Sequence, residues 1–197
     1  MHPRSFRTAL IACLITICSL SFLCGPGYAA MKRDHLTPME VEQVRAAQIL
    51  DKRIEVFIKV CERRLLLLTD PQAAMNKQVQ KDVEKWGELP TGTRAELFTD
   101  LARILDEAIT NIDDVAARDM NNRLLGKALR KLSAASTRFI SQLTPMRATA
   151  KDETEREALE AALENAEAII VAANKLPPEV KEKEKDKDKG KAEKNKS

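Results

Sequence analysis

TPMEVEQVRAAQILDKRIEVFIKVCERRLLLLT, residues 37 to 69, decides the fold class. Thr37 is a good N-cap, and Glu40 three residues on completes a capping box. Pro38 falls at the first helical position, where a missing N–H costs nothing. Val44, Ala47, Leu50, Ile54, Phe57, Ile58, Cys61, Leu65 and Leu68 recur at spacings of mostly three and four, one face of a helix. Glu42, Arg45, Asp51, Arg53, Glu55, Lys59, Glu62 and Arg63 fall mostly on its other faces. Read as one element stopped by Pro71, the stretch predicts a rod roughly 45 Å long whose apolar stripe other helices must cover. Leu65 to Leu68 is apolar all round, so that end is expected to be covered on two sides.

The following segments supply the cover. A short surface helix is predicted from Asp70 to Trp86, ended by Gly87, with Trp86 as a lid on the core. Thr93 and Glu96 form a second capping box, opening a helix whose stripe runs from Leu97 to Val115 and which should reach about Arg118. Asp119, Asn121 and Asn122 mark a break. Leu124 to Leu143 carries the next stripe, with Gly126 inside it as a point of close approach for a neighbouring helix. Thr144-Pro145 begins a turn extending to about Lys151, and Ala158 to Ala173 carries the last stripe, stopped by Pro177-Pro178. Glycine and aromatics are scarce, which fits helix packed on helix. The expected fold is all-α: an antiparallel bundle of four long helices plus one short helix over 37–176, with a disordered Lys/Glu-rich tail over 177–197.

Residues 1–29 read as a signal peptide: Arg4 and Arg7 precede the apolar run Ala9 to Leu23, and Gly27-Tyr28-Ala29 fits a cleavage site after Ala29. The competing readings are an uncleaved anchor and a lipoprotein, the latter from the lipobox-like Leu10-Ile11-Ala12-Cys13, which too few apolar residues precede to form the usual apolar region. Residues 30–36 form a short leader. With cleavage the chain is exported, to the periplasm or outside the cell, with no stable membrane span. Cys13, Cys18 and Cys24 leave, and Cys61 on the apolar stripe is expected to be buried. The 33 basic residues less Arg4 and Arg7 leave 31 against 30 acidic ones, so no basic excess points to nucleic acid.

The motifs that carry chemistry are missing from the pattern. His2 leaves with the signal and His35 sits in the leader, so neither Glu-x-x-His di-iron pairs nor Cys/His zinc sets are available. No catalytic, cofactor-binding or metal residues are assigned, and no cofactor is expected. Asp113, Asp114 and Asp119 lack calcium-loop spacing and read as a solvated face. Glu153, Glu155 and Glu157 suit the start of the last helix or are simply exposed, and Glu160 and Glu164 read as its solvated face.

Leu36-Thr37-Pro38-Met39-Glu40 returns as Leu143-Thr144-Pro145-Met146-Arg147. The pair resembles the repeated Leu-Thr-x-x-Gln motif of small exported helical chaperones of the Spy and CpxP type. The final Gln is Glu40 in one copy and Arg147 in the other. The resemblance implies ATP-independent binding of unfolded envelope proteins on a concave helical surface. The residues themselves lead first to a non-catalytic bundle that binds another envelope protein or serves as a structural adaptor, with the chaperone as the alternative.

Overall fold

The computed structural model describes residues 34–70, 72 and 77–177. Six α-helices are present among them, α1 Pro38–Ala46, α2 Leu50–Thr69, α3 Lys77–Trp86, α4 Arg94–Arg118, α5 Leu124–Leu143 and α6 Glu153–Asn174, with a 3-10 turn at Thr144–Thr149 and no strand. The expected signal peptide and the Lys/Glu run beyond Pro177 lie outside the described residues, as does most of the first turn expected for the helix opening at Asp70.

The four long helices α2, α4, α5 and α6 make the bundle. Consecutive ones run antiparallel: short connections require it of α4, α5 and α6, while α2 and α4 are joined through α3. Arg53 Nη1 on α2 donates to Asn111 Oδ1 on α4 (3.1 Å), while farther along α2 Arg64 Nε lies 3.9 Å from Asp100 Oδ2, earlier on α4. Two lateral pairs are parallel. α4 and α6 share Arg94 Nε–Glu155 Oε1 at their starts (2.6 Å) and Asn165 Nδ2–Ala102 O farther on (2.8 Å). α2 and α5 share Lys131 with Asp51 and Glu55, then Arg138 with Glu62. Phe57, Phe98, Leu101, Leu105, Leu132, Phe139, Leu143, Leu159 and Leu163 fill the centre. Ala108, Ala128, Ala135, Ala162 and Ala166 are buried with them and let the backbones approach.

Both capping boxes form as the spacing predicts, at Thr37/Glu40 and Thr93/Glu96. The break after α4 is built by Asp119 and Asn122 side chains accepting from the Asn121 and Leu124 amides. Trp86 is buried, and Gly87 ends α3 at φ +70, where an added Cβ would lie 3.0 Å from Met39 Cγ.

The opening stretch departs from its expected form. It is two helices, not one rod, so the bundle carries two short helices in addition to the four long ones. Ala47 leaves the helix at ψ 80, and Ile49 enters α2 in extended geometry with no side-chain cap. The reason lies 24 residues on. A continuous helix would hold Glu40 about 36 Å from Arg64; the break folds α1 back so that the carboxylate reaches it. Asp51 and Arg63, placed by the pattern among the residues mostly off the apolar stripe, are buried as well. At the Leu65–Leu68 end, Leu65 and Leu68 are buried while Leu66 and Leu67 are half-covered.

Gly126 also differs from expectation. A Cβ there meets no neighbouring helix, only the end of its own helix's Arg130, at 3.1 Å from Nη1. That group is flexible, so Gly126→Ala should raise stability by up to about 1 kcal/mol through helix propensity. A urea midpoint that falls would show that the Arg130 contact with the Pro177 carbonyl matters more.

Candidate functional site

The most densely bonded polar group is built on Glu40. Its carboxylate is fully buried. Oε1 accepts from Arg63 Nε (2.9 Å) and Arg64 Nη1 (2.5 Å), and Oε2 from Arg64 Nη2 (2.7 Å) and the Thr37 amide (2.9 Å). Arg64 Nη2 also donates to His35 O (2.6 Å). Arg63 Nη2 reaches the carbonyls of Trp86, Gly87 and Glu88 at the end of α3. The arginines therefore tie the leader, α1, α2 and the α3 exit together. Four donors occupy the acceptor positions of this carboxylate and fasten α1 to α2.

Burial alone would raise the Glu40 carboxyl. The hydrogen bond and charge of Arg64, the Thr37 amide and Arg63 outweigh it and hold it below the ordinary glutamate value. A depressed carboxyl contributes stability above its unfolded value, about pH 4.3, and loses it as pH falls through the lower folded one. Asp51, desolvated but held by Lys131 and Lys127, shifts the same way. Trp86 fluorescence should stay flat from pH 7 to about pH 5 and change below about pH 4; a change that begins near pH 6 would contradict this assignment.

The other candidate groups lie apart. Asp113, Asp114, Asp119, Glu153, Glu157 and Glu164 are exposed. Among the described residues no group of three or more His, Cys, Asp or Glu side chains is placed to hold a metal ion. Glu155, in the first turn of α6 where a carboxylate suits the helix start, is buried against Arg94 and not one of the exposed acids. Glu160 is clasped in two hydrogen bonds by Arg147, which holds its carboxyl below the ordinary value. His35 Nε2 lies 2.7 Å from Glu107 Oε2. The two Leu-Thr-Pro-Met copies differ locally: Thr37 is an extended N-cap, while Thr144 is helical and its hydroxyl donates back to Ile140 O.

Cys61 is buried, and desolvation pushes its thiol well above the ordinary range. Cys61→Ser should leave the oligomeric state unchanged with or without reductant, as read by gel filtration. A dimer that disappears with Cys61 would overturn its placement in the core.

Two surface hollows flank α3. One, of about 280 Å³, lies between α2 and α3 and is lined by Lys59, Glu62, Arg63, Leu66, Val79, Asp82 and Leu89. Lys59 and Asp82 bridge it at 2.9 Å. The other, of about 330 Å³, lies between α1, α2 and Trp86, with Ala46, Ala47 and Val56 in its lining. Met39 and Val83 are exposed in the same layer, Met39 resting against Gly87, one turn beyond Val83. Among the described residues no helix is long and apolar enough to cross a membrane. Comparison with protein-family models, with curated proteins and with solved structures gives no match.

Proposed function

We propose that this chain is an exported, non-catalytic helical bundle that binds another cell-envelope protein, with the α1–α3 layer as its working face. Export rests on the pattern of residues 1–29, and the non-catalytic reading on the missing motifs. The observation that favours this face is the pair of apolar-floored hollows on either side of α3, next to exposed Met39 and Val83.

A photo-activatable residue at Val83, compared with one at exposed Val171 on α6, tests the reading in intact cells. One dominant envelope protein captured from position 83 and not from 171 is the expected result. Capture of many unrelated, partly unfolded proteins from position 83 would support the chaperone alternative, which the Leu36–Glu40 copy in this layer favours. Capture from 171 alone would move the working face to the bundle's other side and overturn the assignment.

A further inference from the structure

α1 is fastened unevenly. Its fully enclosed side chain is a charged one, Glu40, while Val41 and Val44 are only partly covered. α3 leans on α1 through Gln43 Nε2–Lys85 O (3.2 Å) and Met39 against Gly87. Arg63 serves both elements, holding Glu40 with Nε and the α3 exit carbonyls with Nη2. The apolar centre, by contrast, is supplied largely by the four long helices. Two features make departure of α1 feasible. Ala47 to Ile49 already breaks the helix, giving a hinge. Arg64 also has a second carboxylate near it, Asp100 on α4, so the loss of Glu40 does not strip it of counter-charge.

We propose that α1 and α3 form a displaceable strap latched by Glu40 on Arg63 and Arg64. It lifts from α2 as one unit while the four long helices stay folded. The α2 surface beneath it then receives an apolar segment bearing a carboxylate in the place of Glu40. Helical spacing puts Val56 and Val60 beside the two arginines on that surface, so both parts of such a ligand have a counterpart. The strap stands on the geometry alone; its use by a partner rests on the protein-binding reading above.

Amide hydrogen exchange on the full chain tests the strap. Amides of 41–46 and 81–87 should exchange through one shared opening, faster than those of 101–108. Glu40→Gln should speed both segments by a common factor of at least tenfold and leave 101–108 unchanged relative to them. Glu42→Gln, at an exposed position on the same helix, should change neither. Exchange of α1 and α3 only with global unfolding, or unequal responses to Glu40→Gln, would overturn the strap. For the ligand, a synthetic peptide of residues 35–47 should bind the Glu40→Gln protein at least tenfold more tightly than the same peptide carrying Gln in place of Glu40. Equal binding would overturn the carboxylate requirement. If exchange behaves as expected and position 83 captures nothing in cells, the strap stands and the protein-binding reading fails.

Discussion

Glu40→Ala is expected to remove about 3–5 kcal/mol from the docking of α1, the usual loss when one partner of a buried ion pair is deleted. Arg63 and Arg64 are 4% and 1% exposed, so each would be left in the interior with its principal anionic partner gone. The loss should be local in its signature. The chain has one tryptophan, Trp86, and it sits in the α1–α3 layer. Its fluorescence should therefore change at a lower urea concentration than the far-UV helix signal, which comes mostly from the four long helices. Coincident transitions in Glu40→Ala would mean that α1 and the bundle unfold as one, and the hinge at Ala47–Ile49 would lose its significance. The magnitude has a ceiling: once α1 lifts, water reaches the arginines, and the bundle loses no more than the docking free energy of the strap.

The helices themselves were legible because their signals are local. Thr37/Glu40 and Thr93/Glu96 are separated by three residues, and the ends at Arg118 and Leu143 follow from Asp119, Asn122 and Thr144-Pro145. The break at Ala47–Ile49 has no such mark. No Gly or Pro stands there, and Ala47 and Leu50 keep the apolar period running through it. What breaks the rod is Arg64, whose partner must come from far away in sequence. Its position was readable in principle: Arg64 falls three residues after Cys61 and four before Leu68, on the apolar stripe. A charge on that stripe demands a buried counter-charge. The pairing of Glu155 with Arg94 is hidden for the same reason, since Arg94 is 61 residues away while the place of Glu155 in the first turn of α6 already has a sufficient local explanation. The side-by-side parallel pairs were equally hidden. Short connections set the directions of α4, α5 and α6, but which helices become neighbours depends on packing between residues far apart in sequence, such as the buried Ala108 and Ala162.

Phe139→Ala should produce the opposite signature to Glu40→Ala at a similar magnitude. Phe139 is 1% exposed on α5, a helix that packs on α2 and α6 and is remote in sequence from the strap. Emptying a buried aromatic site costs about 3–5 kcal/mol, the lost transfer energy plus the cavity that neighbours only partly close. Against a typical total of about 5–15 kcal/mol, that is a large fraction of what holds a domain of this size together. The strap has no folded surface to dock on once α2 and α5 separate, so Trp86 fluorescence and far-UV helicity should shift together to lower urea. Should Phe139→Ala split the two probes as Glu40→Ala does, α5 would be coupled to α1 and α3 more tightly than to its own bundle. The division into a four-helix body and a latched strap would then be wrong.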